Sequence, residues 1–289
     1  MRVAERLCIV GVGLIGGSLA RALKAVAAVG VVVGAGRSRE SLERAVALGV
    51  IDRYGLDVAE AVVGADVIVV AVPLGAVAPC LAAVAKGADP DAVITDVASA
   101  KGAVVAAAKA AFGGVVPQNF VPGHPIAGTE HSGVEASFAE LFQGRQVILT
   151  PLAETSAAAQ RRVHALWQTT GAQVVDMGVE HHDQVLAATS HLPHMLAYTL
   201  VDSLARRDER TEIFRYAAGG FRDFTRIASS DPTMWRDICL ANGEALLAAM
   251  ADFRADLDQL QEAIRRRDGA AIMTIFQRAK RARDNLSWH

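Results

Sequence analysis

Residues 7–18 read LCIVGVGLIGGS, and this stretch decides the fold of the chain. Leu7–Val10 is a short apolar run typical of a strand buried on both faces. After the glycines, Leu19, Leu23 and Val26 lie on one face of a predicted helix. A strand, GxGxxG and a helix in this order are the fingerprint of a dinucleotide-binding turn, because glycines let the backbone approach a pyrophosphate at the helix N-terminus. The predicted cofactor contacts in this turn are Gly11, Gly13, Leu14, Ile15 and Gly16.

The end of the second predicted strand bears on which cofactor is bound. Residues 31–35 form this strand, and Gly36, Arg37, Ser38 and Arg39 follow it. NAD sites usually carry an acid here for the ribose 2′-hydroxyl, but the first acid after this strand is Glu40. Two arginines and a serine hydroxyl suit a 2′-phosphate, although a solvated turn that begins the next helix has the same composition. The sequence therefore favours NADP, with NAD as the alternative.

The alternation of strands and helices continues through the first half of the chain. Further predicted strands cover residues 66–73, 92–97, 115–121, 146–151 and 173–176, and predicted helices cover 41–48, 77–85 and 157–169. Such alternation indicates an α/β fold with a Rossmann-type, doubly wound, mostly parallel sheet, in a domain spanning residues 1–176. Ligands of these sheets lie outside the carboxyl ends of the strands. Val72 and Pro73 end one strand there and are further predicted cofactor contacts.

Two other segments are expected at this carboxyl edge. Asp96–Lys101 covers the end of a predicted strand and the residues after it; a helix-capping Ser99 and a solvated Lys101 are the alternatives to ligand contacts. The stretch Pro122–Gly128 places His124 between a glycine and a proline, and we interpret it as neither helix nor strand. His124 is either a catalytic group or a polar loop residue.

The second half of the chain has a helical pattern. Predicted helices cover residues 181–206, 211–219, 232–250, 252–266 and 268–285, which indicates an all-α helical dimerisation domain spanning 177–289. Ser190 and His194 lie four residues apart on one helix face, and Pro193 is expected to bend that helix. Residues 219–228 combine glycines, aromatics and arginines, as in an anion-binding loop. The histidines lack a completing Cys or carboxylate at ligand spacing, so no metal site is predicted.

Composition limits the remaining possibilities. The chain has 289 residues, 52% of them hydrophobic, and a net charge of −2. This composition is typical of a globular protein and argues against nucleic acid as a partner, which would favour a basic excess. Its apolar runs are too short for a membrane span, and its N-terminus lacks the pattern of a secretory signal. Three separated cysteines without CxxC spacing indicate reduced thiols, so we expect a cytoplasmic protein.

Five segments together resemble the prephenate dehydrogenase family, also called cyclohexadienyl dehydrogenases. They are Gly11–Ser18, Thr95–Lys101, Gly123–Gly133, Thr189–His194 and Gly219–Arg236. The resemblance implies NAD(P)-dependent oxidative decarboxylation of prephenate to 4-hydroxyphenylpyruvate in tyrosine biosynthesis, and a homodimer built on the helical domain. It leaves open tyrosine as a feedback ligand. Since the sequence ends at His289, we expect it to lack the regulatory or mutase domains fused to some relatives.

The resemblance also assigns roles to residues. His124 matches the neutral imidazole that accepts a hydrogen bond from the substrate hydroxyl. Arg226 is the candidate clamp for a substrate carboxylate, since a guanidinium binds a carboxylate through two parallel hydrogen bonds. Ser99 and His194 are carried over as catalytic groups in contact with the substrate. The remaining substrate-site candidates are Ser190, Thr129 and Glu130, the last at a position that gates the pocket.

Three alternatives stay open at this point. Arogenate dehydrogenase, or a dual-specificity enzyme, has the same fold and chemistry with an amino group in place of a keto oxygen. A β-hydroxyacid dehydrogenase would typically use a lysine of the helical region, but residues 181–250 contain none. A non-catalytic NAD(P)-sensing module would need the glycine fingerprint without His124 and Arg226 in one cleft.

Overall fold

The amino-terminal part alternates strands and helices, as the sequence predicts. The computed structural model describes residues 2–129 and 131–285. The strands are β1 (Ala4–Val10), β2 (Val29–Ala35), β3 (Arg53–Gly55), β4 (Val67–Val70), β5 (Val93–Asp96), β6 (Phe120–Val121), β7 (Gly123–Pro125), β8 (Gln146–Leu149) and β9 (Gln173–Asp176). The helices of this part are α1 (Leu14–Ala25), α2 (Arg39–Ala47), α3 (Val58–Ala61), α4 (Val77–Gly87), α5 (Lys101–Ala111) and α6 (Ala157–Gln168).

Six of these strands form one parallel sheet in the order β3-β2-β1-β4-β5-β6. This is the Rossmann strand order, and the fold prediction is confirmed. Leu7 and Ile9 pack into one core cluster while Cys8 and Val10 pack into another, so β1 is buried on both faces. Burial of each such side chain stabilises the fold by roughly 1.5–3 kcal/mol. The same burial raises the pKa of the Cys8 thiol to about 12.

A second sheet, which the sequence did not predict, carries His124. Its order is β7-β8-β9, with β7 antiparallel to β8 and His124 paired with Ile148. The interpretation of Pro122–Gly128 as neither helix nor strand is therefore wrong for Gly123–Pro125. Proline is tolerated because β7 is an edge strand. The preceding strand is shorter than predicted, since residues 117–120 close a turn through the Phe120 N–H and the Pro117 carbonyl.

In the carboxyl-terminal part, every regular element of the described residues is a helix or a helical turn. These are α7 (Val179–Leu186), a π-helical turn (Ala187–His191), α8 (Leu192–Ala205), α9 (Arg210–Arg215), α10 (Gly219–Thr225), a 3-10 turn (Arg226–Ser229), α11 (Pro232–Ala241), α12 (Gly243–Arg265) and α13 (Gly269–Asp284). None of the helices described here is both long and apolar enough to cross a membrane.

Several helix boundaries differ from prediction. The predicted helix 211–219 ends at Arg215, and residues 219–228, expected to form a loop, are instead helical as α10 and the 3-10 turn after it. The predicted helix 232–250 ends at Ala241, because Asn242 leaves the helical backbone and its side-chain amide donates to the Asp183 carbonyl. The next helix, α12, then runs continuously to Arg265. The irregularity expected at Pro193 lies just before it, as the π-helical turn, and Pro193 occupies the first turn of α8, where its missing N–H costs nothing.

Candidate active site

The glycine turn has the shape that a dinucleotide requires. Gly11 has a φ of +97°, and a Cβ there would lie 2.5 Å from the Ala71 carbonyl oxygen, beside Val72. A Cβ on Gly16 would collide with the Gly11 carbonyl oxygen, whereas one on Gly13 would meet no atom within 4 Å. Gly13 is the N-cap of α1, and no side chain there caps the first N–H groups of the helix. These residues fit a pyrophosphate bound at the helix N-terminus.

The turn after β2 presents its polar groups to solvent. Arg37, Ser38 and Arg39 are all exposed. The Ser38 Oγ caps α2 by accepting from the Ser41 N–H at 3.2 Å. Arg39 donates to the Tyr54 hydroxyl at 3.1 Å. The turn therefore supplies two cations beyond the end of β2, where the ribose of a dinucleotide lies in this fold.

A buried ion pair fixes the backbone beside His124. Lys101 is fully buried, and its Nζ donates to Asp96 Oδ2 and to the Gly123 carbonyl, both at 2.5 Å. The Gly123 N–H donates to Asp96 Oδ1 at 3.1 Å, so both polar backbone groups of Gly123 are held. Burial lowers the pKa of Lys101, while the Asp96 carboxylate opposes that shift. Lys101 is thus a structural clamp on β7 and not a solvated residue.

Asp183 caps α5 from the helical part of the chain. Ala100 occupies the N-cap position and no side chain of the neighbouring sequence caps the helix, so Ser99 does not cap it. Instead the Lys101 N–H donates to Asp183 Oδ1 and the Gly102 N–H donates to Asp183 Oδ2, each at 2.8 Å. Burial raises the pKa of the Asp183 carboxyl, but hydrogen bonds from His182 and these two amides outweigh it and leave the pKa below its usual value.

His124 is joined to Asp183 through His182. The His124 Nδ1 lies 2.9 Å from His182 Nε2, and His182 Nδ1 lies 2.8 Å from Asp183 Oδ1. His124 is only 8% exposed. Burial, followed by the charge of Lys101 and the neighbouring histidines, holds the pKa of His124 well below its usual value. The imidazole is therefore neutral at neutral pH and able to accept a proton or a hydrogen bond.

A second group of side chains surrounds His194. Its Nδ1 donates to the Ser190 carbonyl at 2.8 Å, and its ring stacks on Trp235 with centroids 3.6 Å apart. Burial lowers the pKa of His194, the Ser190 bond opposes this, and the nearby positive charge of Arg226 lowers it further. Arg226 itself is exposed on the 3-10 turn, where its guanidinium is available to an anion.

The other predicted site residues lie outside the hydrogen-bonded series of His124, His182 and Asp183. Ser99 is half-buried just beyond the end of β5. Thr129 is exposed, and its Oγ1 accepts from the His131 N–H at 3.2 Å. Glu130 lies outside the described residues. Beyond the end of β4, Val72 is half-buried and Pro73 is exposed. Among residues 2–129 and 131–285, no three His, Cys, Asp or Glu side chains form a group that could hold a metal ion.

Sequence reasoning missed His182 and Asp183 as parts of this site. The signal that was present is their position on α7, where both are buried on the same side as Leu186. A His-Asp pair on the buried face of an amphipathic helix needs polar partners. Those partners come from segments 58 and 82 residues away, and no local pattern reveals them.

Comparison with known proteins gives one consistent family. The model of the prephenate dehydrogenase nucleotide-binding domain matches residues 19–176, and that of the prephenate dehydrogenase dimerization domain matches residues 178–278. The cyclohexadienyl dehydrogenase of Zymomonas mobilis is 41% identical over 285 residues, which are 98% of this chain and 96% of that protein.

Two solved structures extend the likeness to the fold. Prephenate dehydrogenase from Aquifex aeolicus, in complex with hydroxyphenyl propionate and NAD+, has a TM-score of 0.91 and 36% identity, with 98% of each chain covered. Arogenate dehydrogenase from Synechocystis has a TM-score of 0.82 and 29% identity, covering 96% of this chain and 99% of that one. The similarity thus spans both the sheet and the helical part.

Proposed function

The chain is a dehydrogenase of the prephenate dehydrogenase family, and we propose that it converts prephenate to 4-hydroxyphenylpyruvate by oxidative decarboxylation. The observation that supports this activity is the environment of His124. His124, buried and neutral, lies just beyond the carboxyl edge of a nucleotide-binding sheet, with Nδ1 engaged by His182. Its Nε2 has no hydrogen-bond partner among the described residues and is the nitrogen that faces substrate in this proposal.

The proposed reaction uses His124 as a hydrogen-bond and proton acceptor. A bound nicotinamide supplies the acceptor for the hydride that leaves the hydroxyl-bearing ring carbon. His124 Nε2 takes the hydroxyl proton as that carbon becomes a carbonyl. The bond between the ring and its carboxylate then breaks, CO2 leaves, and the electron pair makes the ring aromatic. The proton returns from His124 to the oxygen, which becomes the phenol, so the step needs no other acid or base.

Arg226 and the His194 cluster are proposed to bind the anionic end of the substrate. Prephenate carries two carboxylates, and a guanidinium can hold one of them through two parallel hydrogen bonds. The Arg226 charge already acts on His194, so the two groups lie in one region. Ser190 and Ser99 are proposed as further substrate contacts, the latter because it follows β5 at the ligand edge. Thr129 and Glu130 keep the roles that the family resemblance assigns.

Arogenate is the second candidate substrate. The specific observation in its favour is the full-length likeness to the Synechocystis arogenate dehydrogenase. Arogenate differs from prephenate only where an amino group replaces the keto oxygen of the side chain, away from the ring hydroxyl that His124 would contact. A dual-specificity enzyme therefore needs no change in the proposed chemistry.

For the cofactor, NADP is proposed over NAD. The support is Gly36 in place of an acid, with Arg37, Ser38 and Arg39 exposed beyond β2. Ser38 caps α2 through its lone pairs, which leaves its hydroxyl proton for a phosphate oxygen. A carboxylate at this position would repel a 2′-phosphate, and its absence removes that barrier.

A homodimer through the helical part is proposed as the assembly. Leu247, Met250, Phe253 and Leu257 give α12 an exposed apolar face, with Leu247 67% exposed. Leu192 and Leu196 of α8 line the same groove. Apolar surface of this kind favours burial against a second copy, and the matching family model is named a dimerization domain. Tyrosine as a feedback ligand stays a prediction from the resemblance.

The domain boundary and a cytoplasmic location are also proposed. The domain boundary is placed between residues 176 and 177, supported by the end of β9 at Asp176 and the start of α7 at Val179. A cytoplasmic location is supported by the three free cysteines, Cys8, Cys80 and Cys239, as expected in a reducing compartment.

The function is tested by following the absorbance of the reduced nicotinamide. The purified chain is incubated with prephenate or arogenate, each with NAD or NADP, and 4-hydroxyphenylpyruvate or tyrosine is identified as the product. Turnover of prephenate, fastest with NADP, is the expected result. Turnover of arogenate alone would replace the proposed substrate. No turnover in any of the four combinations, by protein that binds a nicotinamide cofactor, would favour a sensing module.

A further inference from the structure

We propose that His182 and Asp183 are positioning residues that keep the proton of neutral His124 on Nδ1, so that Nε2 is always the free acceptor. This inference rests on the proposed function of His124 and adds the groups that prepare it. It concerns the ligand-free protein as well as the reaction, because the hydrogen bonds involved are present without substrate.

The proton positions follow from Asp183 outward. Its carboxylate oxygens receive the Lys101 and Gly102 N–H groups, and an ionised carboxylate can only accept hydrogen bonds. The third contact, 2.8 Å from Oδ1, must therefore be donated by His182 Nδ1. With its one ring proton on Nδ1, the His182 imidazole has a bare Nε2, which can only accept.

The same logic extends one step further to His124. Its Nδ1 lies 2.9 Å from His182 Nε2 and must supply the proton of that bond. A neutral imidazole carries one proton, so Nε2 of His124 is left with its lone pair. The opposite tautomer would set two bare nitrogens against each other and would present an N–H to the substrate hydroxyl, where an acceptor is needed.

The N-terminus of α5 anchors this chain of hydrogen bonds. The 11-residue helix has no cap from its own sequence, and its first amides and positive dipole end stabilise the Asp183 charge. Asn242 also holds the Asp183 main chain by donating to its carbonyl at 2.8 Å. Asp183 is therefore held on both its side-chain and backbone oxygens, and the orientation of His182 is fixed from a rigid base.

The hydrogen bonds from His124 through His182 to Asp183 also stabilise the positive charge that develops on His124 in the proposed reaction. When Nε2 takes the substrate proton, the ring becomes a cation beside buried Lys101, which disfavours it. His182 Nε2 accepts from the more acidic Nδ1–H, and the Asp183 carboxylate beyond it has the opposite charge. Both effects stabilise the imidazolium without any proton leaving Nδ1.

The test compares two substitutions of one residue. His182→Gln keeps an oxygen that can accept from His124 Nδ1–H, whereas His182→Leu has similar bulk and no acceptor. We expect His182→Leu to lower kcat by about 10²-fold, within the usual range for acid–base catalysis, with little change in KM for prephenate. His182→Gln should restore most of kcat. His164→Leu is the matched control, since it removes the His164–Asp176 contact of 2.8 Å outside this site.

Nitrogen NMR of the histidine-labelled, ligand-free protein reads the tautomer directly. The His124 signals are assigned by their loss in His124→Asn. We expect protonated Nδ1 and bare Nε2 in the wild type and in His182→Gln, and a shift toward protonated Nε2 in His182→Leu. A wild-type His124 protonated on Nε2, or a His182→Leu enzyme with normal kcat and an unchanged tautomer, would overturn the proposal. Absent turnover of prephenate by the wild type would instead refute the proposed function, since the tautomer is measured without substrate.

Discussion

His124 owes its proposed role to burial and to its neighbours more than to its own sequence context. Substitution to Asn keeps a polar side chain of smaller size but removes the basic nitrogen. We expect kcat for His124→Asn to fall by about 10²–10⁴-fold, the range for a lost general base, with a much smaller change in substrate affinity. Steady-state kinetics with prephenate measure both, and near-normal turnover would contradict the assignment.

The pH profile of the wild type is part of the same expectation. Neutral imidazole is the active form, and burial together with Lys101 lowers the pKa of His124 well below 6.5. The base is therefore already present at neutral pH and is lost only as the pH falls through that lowered value. We expect kcat to be flat near pH 7 and to decline well below pH 6.5. An acid limb centred at or above pH 6.5 would contradict this.

Arg226 contributes to substrate binding in the proposed function. Its guanidinium is exposed near His194 and is proposed to bind a substrate carboxylate. Arg226→Ala should raise KM for prephenate by roughly 10- to 100-fold, as for loss of a charge-assisted hydrogen bond worth about 1.5–3 kcal/mol. Arg222→Ala removes an exposed arginine of α10 whose side chain is 84% accessible and serves as the control. An unchanged KM in Arg226→Ala would exclude the clamp.

Among the structural elements, β7 is held by its pairing with β8 and by the buried Lys101–Asp96 pair. Lys101→Met leaves the buried Asp96 carboxylate without its cation and the Gly123 carbonyl without its donor. We therefore expect the free energy of unfolding to fall by about 3–5 kcal/mol. Lys24 forms a half-exposed ion pair with Asp52, with Nζ 2.7 Å from Oδ1, and Lys24→Met should lower the free energy of unfolding by at most about 1 kcal/mol. Urea denaturation of both variants gives the comparison. Equal effects would mean that the Lys101 clamp contributes little.

The turn between β2 and α2 carries the prediction on cofactor choice. Arg37→Ala should raise KM for NADP by about 10-fold or more and leave KM for NAD nearly unchanged, since only NADP carries the 2′-phosphate. Arg44→Ala is the matched control, an exposed arginine of α2 that pairs with Glu135 at 3.3 Å. Equal changes for both cofactors would argue against a 2′-phosphate site at this turn.

The elements that the sequence predicted are those with strong local patterns. The apolar run of Leu7–Val10 and the glycine turn after it are local, and both were correct. The strand at Gly123–Pro125 was missed because glycine and proline are poor strand residues, and only pairing with β8 and the Lys101 clamp make it one. Lys101 itself reads as a surface residue until Asp96 is known to lie beside it. Long-range partners of this kind leave no periodic signal.

In the whole molecule, the helical part both contacts the sheet domain and carries the proposed dimer face. Its α7 reaches into the sheet domain through Asp183, while α12 presents Leu247, Met250, Phe253 and Leu257 outward. The family resemblance predicts a dimer, which stays a proposal for this chain, and helical periodicity predicted the helices of this part. The contact from Asp183 to α5 spans the two parts and could not be read from either part alone.

The outward apolar face of α12 is the proposed dimer interface. Leu247→Glu places a charge in the middle of the proposed dimer interface, where burial without a partner costs several kcal/mol. We expect the wild type to be a dimer by light scattering and Leu247→Glu to shift toward monomer as concentration falls, with cofactor binding retained. Val63→Glu changes an exposed apolar residue of the sheet domain, 51% accessible, and should leave the dimer intact. A wild-type monomer, or a Leu247→Glu variant that dimerises as tightly as the wild type, would show that α12 does not form the interface.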